Sequence, residues 1–438
     1  MDLLFDFVTS FLHERNEDDA FDRLNYQITP FLFVLFSLVN ITKLYIGTAI
    51  NCFTKAEFRG GWIEYAQDYC LVENTYYLRT NESIPLEMEL RGQKYISYYQ
   101  WVPFILVLQA CSFYIPHLMW RSFNWTTGFQ IRTVVTAAKE SAAADALENR
   151  EKVVKIARSL FHANRLQRRA FRIIPARFDF SCLHKKKIQW KWDLLALTEK
   201  LYGQCFVAFL YLAMKFAYIL LILAHLMLFR SFLGRMDFAF GVIRHRGEWQ
   251  ESGIFPRVTV CDFGVYRLGQ IQRYTLECVL PLNMFNEKIF VFFFFWLCLL
   301  LATTVFSLTL WAQRIRYRDK FFHKLLNIYQ KNERILARGA SPDSSETPDD
   351  NDDASIVSSK LDPNALNHYR RMDLAADYGA DLRVALGLVQ DQTGLIFCSN
   401  VFREICHLSE LRKQQEQQQN LPPAQRAPPF YRPNNAAK

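Results

Sequence analysis

The stretch YYQWVPF occupies residues 98–104 and opens a long apolar run, YQWVPFILVLQACSFYIPHLM, over about 99–119. Whether that run is a buried core helix or a membrane span decides the fold. About 20 helical residues cross a bilayer core of roughly 30 Å, and three further runs near that length occur. TPFLFVLFSLVNITKLYI covers 29–46, CFVAFLYLAMKFAYILLILAHLMLF covers 205–229 and IFVFFFFWLCLLLATTVFSLTLW covers 289–311. Soluble cores rarely supply four such runs, so the chain reads as a polytopic membrane protein. A mean hydropathy of −0.04 hides this, because apolar residues gather in the four runs and charges lie between them.

The quoted residues suit a membrane boundary. Tyr98, Tyr99 and Trp101 fit the headgroup belt, where an aromatic body is buried and its polar edge stays wet. Gln100 can satisfy backbone groups there, and Val102 and Phe104 begin the apolar body. Pro103 is expected in the first helical turn, where its missing N–H costs nothing. This accounts for each residue type but not for the combination.

Charge orients the chain. The segment between the second and third runs is rich in Arg and Lys, and RIRYRDKFFHK follows the fourth run. The positive-inside rule places both in the cytoplasm. The expected order is then a cytoplasmic N-terminal segment (1–28), span one (29–46), a first outside loop (47–98) and span two (99–119). A cytoplasmic loop (120–204), span three (205–229), a second outside loop (230–288) and span four (289–311) follow. The cytoplasmic C-terminal region is 312–438, with disorder expected at 340–363, which is acidic and Ser-rich, and at 414–438. The first residues, MDLLFDFVTSFLHERNEDDAFDRLN, lack a basic n-region and are read as a retained, cytoplasmic N-terminus rather than a signal peptide.

Four of the ten cysteines fall outside, two per loop: Cys52 and Cys70, then Cys261 and Cys278. Disulfides persist in oxidising compartments, and four cysteines pair in three ways. A metal site is the rival reading, but there is no CxxC and no His at ligand spacing near them, so no metal and no cofactor is expected. Asn81-Glu82-Ser83 is a glycosylation sequon in the first loop. No enzyme motif is present: GxGxxG, HExxH, GxSxG and the P-loop are all missing from the sequence. The basic loop is explained by membrane orientation and calls for no nucleic acid. Lys215, near the middle of span three, is a functional candidate by default, read here as meeting an interior acceptor or a neighbouring subunit.

YYQWVPF at the head of a second span resembles the signature of the innexins, the gap-junction proteins of invertebrates, related to pannexins. DDAFDRLNYQIT (18–29), YAQDYCLVENTYYL (65–78) and the two-plus-two cysteines agree with that family. Phe53, Leu71 and Arg79 depart from its usual pattern, and the resemblance fades beyond about residue 340. It implies an all-α four-transmembrane-helix bundle with disulfide-braced extracellular loops and a helical cytoplasmic domain, assembling as a ring channel. It also implies nested bridges, Cys52 to Cys278 and Cys70 to Cys261.

The expected protein is a plasma-membrane gap-junction channel subunit, multi-pass at cell–cell junctions, with both termini cytoplasmic. Its partners would be identical or related innexin subunits in an octamer, an apposed hemichannel on the neighbouring cell, and membrane lipids. Leu3, Asp6, Ser10, His13, Asp18 and Asp19 are the pore-lining candidates. The acids near 17–22 either line the cytoplasmic vestibule or pair with the basic loop. Two alternatives stand beside this reading: an undocked pannexin-like hemichannel releasing small solutes, and a pore-free four-span adhesion or junction scaffold.

Overall fold

The computed structural model describes residues 18–73, 75–78, 82–92, 94–126, 130–142, 146–173, 205–233, 240, 255–339 and 378–420. Among the described residues, four helices are long and apolar enough to cross a membrane: α1 (Ala20–Tyr45), α4 (Tyr98–Thr126), α7 (Phe206–Leu233) and α8 (Pro281–Arg316). The chain divides into two compact units. One is built within residues 20–119 and 214–309; the other is built within 15–19, 120–213 and 310–438.

The first unit holds most of the spans. Its interior is aromatic: Phe33 stacks on Phe293 with centroids 4.0 Å apart, and Tyr26 stacks on His117 at 3.9 Å. His225 Nε2 lies 3.2 Å from Ser112 Oγ. Within α1, residues Leu24–Ile28 form a π turn in which the Thr29 N–H reaches Leu24 O, five residues back. Pro30 lacks the N–H that would continue a regular ladder. Asn25 Nδ2 donates to Phe21 O and Thr29 Oγ1 to Leu24 O, so side chains help to satisfy the disturbed backbone.

The loops of this unit carry a five-stranded antiparallel sheet in the order β1-β5-β4-β2-β3, which the sequence reading did not contain. Its strands are β1 (Asn51–Phe53), β2 (Thr75–Tyr76), β3 (Tyr95–Ile96), β4 (Val258–Arg267) and β5 (Gln270–Val279). The β4–β5 hairpin pairs continuously from Val258↔Val279 to Arg267↔Gln270. On β4, Thr259, Cys261 and Phe263 are buried and alternate with less buried neighbours, the period-two pattern of a strand with one covered face. Helix α2 (Gly61–Glu73) covers that face, burying Ala66 and Cys70 against Phe58, Cys261, Phe263 and Leu276. A short helix, α3 (Met88–Gly92), precedes β3.

The combination YYQWVPF has its explanation here. Tyr99 OH donates to Leu71 O at 3.0 Å, and Gln100 Nε2 donates to Leu71 O at 2.6 Å and to Val72 O at 3.2 Å. The last carbonyls of a helix have no partner within it, so the head of α4 caps the end of α2, beside Cys70. Tyr98 packs edge-on against Phe255, Val102 is buried, and Trp101 and Phe104 face away, 61% and 58% exposed. Pro103 is a correction: α4 begins at Tyr98, so Pro103 is its sixth residue rather than first-turn, and α4 continues through it and Pro116.

The second unit is helical among its described residues. Helices α5 (Ile131–Ala142) and α6 (Ala146–Ile173) lie between α4 and α7, and α9 (Arg318–Gly339) follows α8 after a break at Tyr317. Helices α10 (Ala380–Thr393) and α11 (Leu395–Asn420) complete it. Residues 340–363 lie outside the described residues. Of the stretch expected to be disordered at 414–438, residues 414–420 are helical: α11 runs to Asn420, since its Gln- and Glu-rich end consists of good helix formers and carries an Arg412–Glu416 pair one turn apart. Residues 421–438 lie outside the described residues.

Candidate functional site

The loops are braced at one place. Cys52 and Cys278 sit opposite each other on β1 and β5, and Cys278 also faces Thr259, one pleat from Cys261 on β4. The structure joins Cys52 to Cys278 and Cys70 to Cys261, so both bridges tie the first loop to the second. The sulfurs of Cys52, Cys70 and Cys278 lie within 4.8 Å of one another. All are already bonded, so the cluster offers no thiolate to a metal.

On β4, Asp262 collects three more ties. Its Oδ2 accepts from Arg91 Nη1 at 2.7 Å and Tyr76 OH at 3.1 Å, and its Oδ1 accepts from Thr275 Oγ1 at 2.6 Å. The hydrogen bond to Asp262 holds the Arg91 guanidinium above its usual pKa. Burial and the same carboxylate raise the Tyr76 phenol. Beyond Gly264 the hairpin leaves this support. Its turn residues Leu268 and Gly269 have φ of +50° and +82°, the signs a type I′ turn requires at both positions. Leu268 is 98% exposed and Tyr266 78%.

Inside the bundle of the first unit lies a ladder of polar side chains. Lys215 Nζ, fully buried on α7, donates to both Asp22 oxygens at 2.7 and 2.8 Å and to Ser307 Oγ at 2.8 Å. Asn25 Nδ2 donates to Thr304 Oγ1 at 3.0 Å, and Trp296 Nε1 donates to Thr29 Oγ1 at 3.0 Å. A charge in this setting needs a partner and further hydrogen bonds, and Lys215 has both. The interior-acceptor reading of Lys215 is the one the structure takes, and the acceptor is an acid at the base of α1.

In the second unit, α10 is the hub. Asp381 Oδ1 accepts from the Ala208 N–H at 2.9 Å, and Ala208 is the third residue of α7, so an acid far along the chain caps a span's first turn. Gln392 Nε2 donates to Asp18 O at 3.0 Å, and Arg314 makes a two-pronged pair with Asp391 at 2.7 and 3.0 Å. Trp311, buried, donates from Nε1 to Asp19 at 3.2 Å and packs on Tyr211 and the Arg314 guanidinium, each 4.8 Å away. A Cβ at Gly387 would stand 2.9 Å from Trp311 Cη2 and 3.0 Å from Cζ3. Gly387→Val should therefore lower stability by about 1–3 kcal/mol through overpacking, read as a fall in the thermal midpoint of the detergent-solubilised protein.

Of the pore-lining candidates, Leu3, Asp6, Ser10 and His13 lie outside the described residues, as does Asn81. Asp18 is buried and Asp19 accepts from Trp311; neither is an open carboxylate within one copy. Asp22 is a correction: read with its acidic neighbours as a vestibule acid or a partner of the basic loop, it pairs instead with Lys215 inside the bundle. Nothing local to Asp262 or Asp381 announces partners so distant in sequence.

The innexin family model matches residues 18–407, further than the resemblance visible by eye, because it takes in α10 and most of the apolar part of α11. Innexin unc-9 of Caenorhabditis elegans is 36% identical over 304 residues, 67% of this chain and 74% of that protein. Innexin-11 of the same organism is 36% identical over 313 residues, 69% of this chain and 64% of that protein. Innexin-19 of Caenorhabditis briggsae is 33% identical over 326 residues, 71% of each.

Proposed function

The chain belongs to the innexin family, whose members are gap-junction channel subunits, and we propose that eight copies ring a central pore and dock to a like ring on the adjoining cell. As a family member it is a multi-pass membrane protein that assembles with innexin subunits, not an enzyme. Four spans are too few to enclose a wide aqueous path, so the pore lies between copies, and closed cyclic symmetry is the ordinary way to build such a ring. Residues 1–13 supply the lining, with Asp6, Ser10 and His13 on the polar side of an amphipathic repeat that includes Leu3. Both termini and the basic 120–204 segment are cytoplasmic in this reading, and lipids cover the outer apolar faces. Ions and small metabolites pass; no bond is made or broken.

The docked reading is carried by the β4–β5 tip. A leucine 98% exposed and held at positive φ is disfavoured twice, by water and by its own Cβ. Strain that persists on a surface motivates a functional hypothesis, and an apolar tip ahead of a braced sheet fits a pocket on an apposed copy. Leu268→Asn relieves the φ penalty, because Asn adopts that region readily. The substitution should leave stability equal or slightly higher. Junctional current between paired cells should fall at least tenfold, while single-cell membrane current persists. Undiminished coupling would remove the tip from the docking surface.

A further inference from the structure

The two loop bridges are close enough to exchange. Cys52 is half-buried on β1, an edge strand of three residues, whereas Cys70, Cys261 and Cys278 are fully buried. Of the four sulfurs, Cys52 is thus the one an incoming thiolate can reach. Attack on it expels Cys278, and that sulfur already lies within 4.8 Å of Cys70. Cys261 and Cys278 project from one face of the β4–β5 pair, since Thr259↔Cys278 and Cys261↔Leu276 are successive same-face partners. Cys70 descends on that face from α2. It is therefore placed between two possible mates.

We propose that Cys52 is a site of S-thiolation by small extracellular thiols, and that its modification moves the inner bridge from Cys70–Cys261 to Cys70–Cys278. The thiolate RS⁻ bonds to Cys52 Sγ as the Cys52–Cys278 bond breaks, leaving the electron pair on Cys278. The Cys278 thiolate then attacks Cys70 Sγ, the Cys70–Cys261 bond breaks, and the pair comes to rest on Cys261, which takes a proton from solvent. Two sulfur–sulfur bonds exist before and two after; nothing is oxidised or reduced overall. Exchange of this kind runs through mixed disulfides and depends on access and on the sulfur attacked. The loops stay joined by one bridge, but β1 loses its covalent tie to β5 and is held only by its pairs Asn51↔Val279 to Phe53↔Glu277.

The test uses the purified full-length chain, treated with reduced glutathione, quenched in acid, alkylated with N-ethylmaleimide and digested without reduction. Mass spectrometry should find glutathione on Cys52, a crosslink between the Cys70 and Cys278 peptides, and about one alkylated Cys261 per modified Cys52. Alkylated Cys278 beside an intact Cys70–Cys261 crosslink would refute the relay, and so would glutathione absent from Cys52. Cys52→Ser frees Cys278 without any added thiol and should contain both Cys70–Cys261 and Cys70–Cys278; the first crosslink alone would count against the proposal. The readout is chemical and independent of pore or docking, so a failed relay leaves the channel reading untouched.

Discussion

Lys215→Met should cost about 3–5 kcal/mol, because removing one member of a buried ion pair leaves the other uncompensated. Asp22 would remain almost completely buried without the ammonium that meets both its oxygens, and Ser307 would lose the same ammonium. The side chains are similar in length, so the loss is electrostatic rather than a packing void. Against a total stability of about 5–15 kcal/mol for a typical domain, the variant should fail to reach the cell surface or unfold in mild detergent. Asp22→Leu combined with Lys215→Met should recover most of the loss, since apolar replacement of a whole buried pair is often neutral. Surface biotinylation and the thermal midpoint of single and double variants check this. A double variant no better than Lys215→Met would mean that the carboxylate is needed for more than pairing.

The inner bridge should matter more than the outer one. Cys70→Ser removes a covalent tie between residues 191 positions apart, and loss of a native disulfide typically costs about 2–5 kcal/mol. Both its sulfurs lie in the core under the sheet, and α2, which carries Cys70, presents the end that Tyr99 and Gln100 cap. Junctional current should vanish. Cys52→Ser, at an edge strand, should retain more thermal stability than Cys70→Ser when measured side by side. Equal loss in both would show that the bridges act as one unit.

The spans were legible because hydrophobicity over some 20 residues needs no tertiary information. The sheet was less so. Strands β1, β2 and β3 have two or three residues each, too few to display a period; β1 and β2 pair with the two edges of the β4–β5 hairpin, and β3 pairs with β2. The hairpin itself was not read from VTVCDFGVYRLGQIQRYTLECV, because Val258 and Val260 lie on the less buried face and blur the alternation that burial shows along β4, and no Asn-Gly or Asp-Gly marks its turn. Lys215 showed itself as an anomaly within an apolar run, but Asp22 had no such contrast among its acidic neighbours. Asp381 caps a helix 173 positions upstream; capping signals are local in sequence, so this one could be found only in three dimensions.

The π turn at Leu24–Ile28 changes how positions along the first span are counted. A turn of i→i+5 bonds takes up roughly one residue more than an α turn, and each residue of an α-helix advances about 100°. Side chains at 20–23 are therefore out of phase, by about that angle, with a helical wheel drawn from Thr29–Tyr45. One wheel for the whole of α1 would assign Asp22 to the wrong face. Deleting a single residue within 24–28 would restore one continuous phase and swing Asp22 away from Lys215, breaking the ion pair while leaving both charges in the chain.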